Sequence, residues 1–149
     1  MVATVAIVAF AYDRMHFTYW IGSKDLEIIF VVTDAETGRA IPDASIDIMS
    51  DGESSKDARS DGEFTLKTDS TGTARTVRLE IPCCGEQSGL RLTDTVSPYL
   101  PLWSFRTTSP GYVPSDRSNL NTPDHIQRTK KVDSRHAKLV VSIPLRRLQ

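Results

Sequence analysis

The sequence is poor in the features that mark specialised protein classes. It has two cysteines in 149 residues, too few for the disulfide framework of a small secreted scaffold. Its formal net charge of −1 argues against a generally basic nucleic-acid-binding protein. It contains no glycine-rich phosphate loop and no Gly-x-Ser-x-Gly nucleophile elbow. We therefore expect one domain with no nucleic-acid partner and no motif-defined cofactor site.

The charge is unevenly divided along the chain. Residues 27–69 hold 11 acidic and 4 basic residues, net −7, whereas residues 70–149 hold 6 acidic and 12 basic residues, net +6. Two interpretations stay open. In the first, opposite charges face each other across strands or loops of one domain. In the second, the division produces a dipolar surface that orients a binding partner.

The longest apolar run is too short to cross a membrane by itself. Val2–Tyr12 would span about 16 Å as a helix, whereas a bilayer core needs about 20 residues. An aromatic cluster typical of a headgroup interface follows in residues 16–20. We interpret residues 1–20 as the exit end of a truncated membrane anchor, and residues 21–25 as a hinge. The alternative is an N-terminal strand or core segment of a soluble domain.

Alternating apolar and polar residues predict an all-β fold. If residues 26–33 form a strand, alternate side chains lie on the same face, and all those on one face are apolar. Residues 44–49 repeat this pattern after a turn. Further strands are predicted at residues 63–68, 73–81, 102–108 and 138–145. The expected core comprises Phe30, Val32, Ile46, Ile48, Phe64, Leu66, Val77, Leu79, Trp103, Val141 and Ile143. No amphipathic helix is evident, so residues 26–149 are predicted to form a single antiparallel Greek-key β-sandwich.

Three turns, in order, resemble those of carboxypeptidase regulatory-like domains. Residues 32–48 (VTDAETGRAIPDASIDI) carry Asp-x-x-Thr-Gly and then Pro-x-Ala; residues 68–74 and 109–112 resemble the second turn and the glycine–tyrosine corner of that family. The residues that shape these turns are Gly38, Pro42, Gly72, Gly111 and Tyr112. The resemblance implies a transthyretin-like sandwich used as an accessory, stabilising or adhesive module, and it favours export to the cell envelope.

Catalytic relatives of that sandwich are less similar. Hydroxyisourate hydrolases end in Tyr-Arg-Gly-Ser, whereas this chain ends in Leu-Arg-Arg-Leu-Gln. Intradiol dioxygenases hold iron with two tyrosines and two histidines, for which the candidates here would be Tyr99, Tyr112, His125 and His136. The closely spaced histidine pair of that family is absent. The sequence therefore predicts no iron centre.

The two thiols are adjacent in the sequence. Neighbouring cysteines point apart in a strand, so Cys83 and Cys84 would chelate zinc poorly together with His125 and His136. Consecutive Cα atoms lie about 3.8 Å apart, below the usual disulfide range of about 4.4–6.8 Å. We expect free thiols or, in an oxidising compartment, pairing with another chain.

These patterns favour a non-catalytic binding or structural module that is tethered to a membrane and contacts another protein or cell-envelope material. No catalytic, cofactor-binding or metal-binding residue is assigned. Two alternatives stay open. A carbohydrate-binding module would expose Trp103 or Tyr99, and a small enzyme would gather polar groups from loops such as residues 113–135.

Overall fold

The computed structural model describes residues 11, 17–50, 63–90, 94–100, 103–122, 124–125 and 129–148. The strands are β1 (Phe17–Asp34), β2 (Ser45–Ser50), β3 (Glu63–Lys67), β4 (Thr73–Ser88), β5 (Ser97–Pro98), β6 (Trp103–Thr108), β7 (Ser118–Asn119), β8 (Lys130–Lys131) and β9 (His136–Leu145). They form a five-stranded sheet, β5-β4-β1-β9-β8, and a four-stranded sheet, β3-β2-β6-β7. The predicted all-β sandwich is confirmed.

β1 is the central strand of the larger sheet. It pairs antiparallel with β4 from Phe17 to Val31. On its other side it pairs parallel with β9 from Asp25 to Asp34. The remaining strand pairs in the described residues are antiparallel. The structure therefore differs from a wholly antiparallel sandwich at β1–β9, where β9 enters beside β1 in the same direction.

Alternate side chains of β1 fill the space between the sheets. Leu26, Ile28, Phe30 and Val32 are each 0% exposed, as their alternation predicts. The ring of Phe30 meets the ring of Phe105 on β6 edge to face, with centroids 5.5 Å apart. Each large apolar side chain buried in this way contributes about 1.5–3 kcal/mol. β1, which has the clearest period-2 alternation in the sequence, thus supplies the centre of the core.

The prediction that Val77 and Leu79 face the core is wrong, because their side chains are 57% and 58% exposed. The register of β4 against β1 shifts opposite Asp25. Glu80 there has a φ of 55°, and its N–H donates to Oδ1 of Asp25 at 3.0 Å. A β-bulge reverses the inward and outward alternation. Ile81, after the bulge, packs against the core.

The predicted turns are present. Gly38, Gly72 and Gly111 all have positive φ, and Pro42 is exposed just before β2. Oδ1 of Asp34 accepts the backbone N–H groups of Glu36 and Thr37 in the first turn. The turn geometry thus follows from local side-chain and backbone chemistry.

Residues 21–25, assigned to a hinge from the sequence, lie inside β1; residues 21–24 pair with β4, and Asp25 pairs with His136 of β9. Most of the expected anchor in residues 1–20 falls outside the described residues, so its role as an anchor stays a prediction. In the part of the chain that the structure describes, no helix has the length and apolar character needed to span a bilayer.

Candidate functional site

A cleft opens on the outer face of the four-stranded sheet, where β2 and β3 lie side by side. Its volume is about 470 Å³, within the range of about 300–1,000 Å³ typical of small-molecule sites. The residues that line it are Asp47, Ile48, Met49, Glu63, Phe64, Thr65 and Arg117. Asp47 pairs with Thr65, and Met49 with Glu63, in the β2–β3 register. Because side chains alternate along a strand, these four face away from the buried side chain of Ile48.

Polar groups converge on this cleft from three elements. The hydroxyl of Thr65 donates to Oδ1 of Asp47 at 2.8 Å, which orients the carboxylate. Nη1 of Arg117 donates to Oγ of Ser104 at 3.3 Å and also contacts Sδ of Met49. Glu63, exposed at the start of β3, adds a second carboxylate. The cleft therefore offers proton acceptors and a fixed positive charge.

An aromatic pair lies on the inner side of the same end of the sheet. The rings of Phe64 and Trp103 meet nearly edge to face, with centroids 6.2 Å apart. The guanidinium of Arg78 on β4 lies 4.7 Å from the Phe64 centroid and 4.8 Å from the Trp103 centroid. Such cation–π contacts contribute about 0.5–2 kcal/mol each. Phe64 lies between Glu63 and Thr65, the outward residues of β3 that line the cleft, so β3 links the cleft to Trp103.

Tyr112 belongs to a network that holds the fold together. Its hydroxyl donates to Oδ2 of Asp34 at 3.1 Å, and Nε of Arg147 donates to the same oxygen at 2.7 Å. The Asp34 side chain is 1% exposed. The backbone N–H of Thr37 and then the guanidinium of Arg147 hold the pKa of Asp34 well below its usual range. This network fastens the first turn, the glycine–tyrosine corner and the C-terminal segment to one another.

The two candidate histidines have other partners. Nδ1 of His136 lies 2.7 Å from Oδ2 of Asp133. The backbone N–H of Arg135, followed by the His136 side chain, lowers the pKa of Asp133 to about 2. The His125 ring packs against Phe105, with centroids 6.1 Å apart. One histidine thus closes a turn and the other packs on the core.

The four residues considered for iron, Tyr99, Tyr112, His125 and His136, do not converge. In the β1–β9 register, His136 is aligned with Asp25 and Leu145 with Asp34. Nine residues of strand span about 30 Å, so Tyr112, bonded to Asp34, lies far from His136. Among the described residues, no three His, Cys, Asp or Glu side chains are grouped closely enough to hold a metal ion. A centre with two tyrosines and two histidines therefore does not fit these residues.

The thiols differ sharply in environment. Both are free; Cys83 is buried and Cys84 is exposed. Burial raises the pKa of the Cys83 thiol, and the charge of Lys24 opposes the rise only in part. Because the thiolate is the reactive form, the two cysteines should react at different rates.

At neutral pH, Ellman's reagent is expected to modify one thiol per folded chain rapidly and the second only on unfolding. C84S should abolish the rapid phase, whereas the matched C83S variant should keep it. Absorbance at the released thiolate band gives the stoichiometry. Rapid labelling of folded C84S would show that Cys83 is accessible, contrary to its burial.

The comparisons with known proteins show the fold. No family model matches the sequence, and no curated protein matches it. A chlorocatechol 1,2-dioxygenase from Pseudomonas putida aligns with a TM-score of 0.50 and 17% identity, over 84% of this chain and 61% of its own length. A catechol 1,2-dioxygenase from Acinetobacter radioresistens aligns with a TM-score of 0.53 and 14% identity, over 85% of this chain and 53% of its own. This chain thus spans a little over half the length of these enzymes.

These structural matches correct the family identification that the three turn motifs suggested. The carboxypeptidase regulatory-like identification is wrong, since the matching structures are dioxygenases. The interpretation as a non-catalytic, protein-binding module and the expectation that the chain is not an enzyme are overturned with it. The physical reason is that an Asp-x-x-Thr-Gly turn arises from local hydrogen bonding, which unrelated sandwiches can share. The comparisons lend no support to a membrane anchor.

Sequence reasoning did not single out the residues of the cleft. Asp47 and Glu63 occupy ordinary outward positions of strands, and Arg117 lies in a stretch without usable periodicity. Only the pairing of β2 with both β3 and β6 brings them together. Tyr99 is 62% exposed, as the carbohydrate alternative requires, whereas Trp103 is half-buried. Tyr99 lies beside the larger sheet, where its N–H bonds to Pro82 of β4, so the two rings do not form one platform.

Proposed function

We propose that the chain is an enzyme that acts on a small hydroxylated aromatic compound bound in the cleft between β2 and β3. The observation that carries this proposal is the cleft: two carboxylates and a guanidinium line an open cleft of about 470 Å³, a volume that suits one small molecule. The shared fold supports the substrate class, because the similar solved structures are catechol and chlorocatechol 1,2-dioxygenases.

Each polar group of the cleft has a chemical role toward such a substrate. The carboxylate of Asp47 or Glu63 accepts the proton of a phenolic hydroxyl, which leaves a phenolate and a carboxylic acid. The guanidinium of Arg117 stabilises the phenolate oxygen through charge-assisted hydrogen bonds. Met49 supplies apolar contact to the ring. The first step is thus activation of the substrate by proton transfer within the cleft.

Iron held by the four candidate tyrosines and histidines has no part in this proposal. The hydroxyl of Tyr112 is bound to Asp34, and His136 is bound to Asp133. If Tyr112 or His136 bound iron instead, Asp34 or Asp133 would lose the hydrogen bond that it now accepts. The proposal therefore rests on the cleft and its own side chains.

Titration of the full chain with catechol, followed by tryptophan fluorescence, tests the binding site. Trp103 packs against Phe64 of β3, the strand whose outer face lines the cleft, so its emission should change on binding. W20F should keep the signal and W103F should lose it. Arg117→Leu should weaken binding by about tenfold or more, because a charge-assisted hydrogen bond is lost.

Arg39→Leu is the matched control, since Arg39 is exposed in the turn that precedes β2, away from the cleft. It should bind catechol like the wild type. If neither catechol nor chlorocatechol changes the fluorescence at millimolar concentration, or if both arginine variants bind equally well, the assignment of the cleft is wrong.

A further inference from the structure

β4 presents an open backbone edge. One side of the strand pairs with β1 along its length. On the other side, β5 pairs with it at Cys83 and Cys84, and one further bridge joins Gln87 to Asp94. Within the described ranges, no strand pairs with the outer side of residues 74–80. Among the described residues, Arg75, Val77 and Leu79 therefore have no strand partner on their outer side.

The backbone groups that face outward on this edge follow from the register. The N–H of Val32 donates to the carbonyl oxygen of Gly72, and hydrogen-bonded pairs recur at every second residue of an antiparallel ladder. The even-numbered residues of this part of β4 therefore bond to β1. Arg75, Val77 and Leu79 direct three N–H groups and three carbonyl oxygens away from the sheet.

The side chains at these positions do not protect the edge. Val77 and Leu79 are more than half exposed. The charge of Arg75 is directed toward Glu27 on β1, with the nitrogen and oxygen 3.7 Å apart. No proline lies between residues 73 and 81, although natural edges are commonly blocked by proline or by inward-pointing charge. The segment is thus suited to pairing with another strand.

We propose that this edge pairs with the same edge of a second copy of the chain, antiparallel and about a two-fold axis at Val77. In that register Val77 faces Val77 of the second copy, and Arg75 faces Leu79 of the second copy. Each copy contributes three outward N–H groups and three carbonyl oxygens, so six backbone hydrogen bonds form and none of these groups is left over.

Side-chain chemistry selects this occupant. The two-fold axis places valine against valine at the centre, and each arginine against a leucine on the outer face. No two like charges lie directly opposite, an arrangement that would be destabilising. The pairing also removes exposed apolar surface of Val77 and Leu79 from water. A segment that is complementary to itself in hydrogen bonds, charge and apolar surface favours a symmetric dimer.

The mass of the full chain in solution, measured by light scattering on a sizing column at about 100 μM and by sedimentation at lower concentrations, tests the pairing. We expect twice the chain mass of 16.6 kDa. Val77→Lys would place two charges face to face, and Val77→Pro would remove an outward donor without touching the bonds to β1. Both should raise the dissociation constant at least about tenfold. Ser142→Lys, on an exposed position of β9, is the matched control and should remain dimeric.

A cross-link tests the register itself. Directly opposed, hydrogen-bonded residues have Cα atoms about 5.5 Å apart, within the range of a disulfide. V77C in a C84S background should therefore form a covalent dimer under mild oxidation, whereas S142C in the same background should not. A monomeric wild type, a dimer unaffected by both Val77 variants, or a monomer that takes up only a foreign strand peptide would each overturn the proposal.

Discussion

Gly72→Ala is expected to destabilise the domain by roughly 2–4 kcal/mol. Gly72 has a φ of +70°, and a Cβ atom there would lie 2.6 Å from the carbonyl oxygen of Val32 and 3.0 Å from the backbone nitrogen of Ile41. These two groups form a hydrogen bond with each other. The methyl group would thus add steric overlap to left-handed strain, at a point that joins the first turn to β1. Urea unfolding followed by circular dichroism measures the loss.

Gly38→Ala is the matched control. Gly38 has nearly the same backbone conformation, with a φ of +69°, but nothing lies within 4 Å of the added Cβ position. Gly38→Ala should therefore lower the free energy of unfolding by only about 1 kcal/mol, the strain of an alanine in the left-handed conformation. Equal costs for the two variants would show that the close approach at Gly72 has no energetic consequence.

Asp34→Ala is expected to lower the melting temperature by roughly 5–10 °C at neutral pH. The buried carboxylate accepts hydrogen bonds from Tyr112, Arg147 and two backbone N–H groups. Removing it leaves these four donors without their acceptor. Asp69→Ala is the control, because Asp69 caps an exposed turn through local hydrogen bonds to Thr71 and Thr73. It should lower the melting temperature by less than Asp34→Ala does.

The contribution of Asp34 should depend on pH in a defined direction. Its pKa in the folded state lies below the value of about 3.9 expected for the unfolded chain. The stabilisation is therefore complete above the unfolded pKa and is lost as the pH falls toward the folded pKa. The difference in melting temperature between the wild type and Asp34→Asn should shrink from about pH 5 to about pH 2. A difference that stays constant or grows would contradict the network.

The parts of the fold that depend on local pattern could be predicted from the sequence. The inward face of β1 follows from strict alternation around Phe30, and the first turn follows from Asp34 and Gly38. The error at Val77 and Leu79 arose where a single bulged residue, Glu80, reverses the alternation. Such a bulge depends on a partner, here the Asp25 side chain, which lies 55 residues earlier in the chain.

Pro82 shows the same limit. A proline is expected to end a strand because it donates no backbone hydrogen bond. In the structure β4 continues through Pro82 to Ser88, and the carbonyl oxygen of Pro82 still accepts the N–H of Tyr99. The position is tolerated because this part of β4 is nearly at the sheet's edge, next to the two-residue strand β5.

The candidate site depends almost wholly on tertiary contacts. Arg117 reaches the cleft only because β7 pairs with β6 and β6 with β2. Conversely, Tyr112 and the two histidines were plausible metal ligands by residue type, and their partners in the fold assign them other roles. The sequence predicts no iron centre from these residues and marks no motif at the cleft, which only strand pairing brings together.

Turnover of catechols by the purified full chain is the most direct test of the proposed enzyme. Catechol and chlorocatechol are incubated with the protein in air-saturated buffer, so that dioxygen is present as the oxidant, and substrate loss and products are followed by liquid chromatography and mass spectrometry. The account predicts conversion in proportion to protein concentration, with kcat/KM reduced about 100-fold in Arg117→Leu and unchanged in Arg39→Leu. No conversion by the folded wild type, or conversion that Arg117→Leu leaves intact, would contradict it.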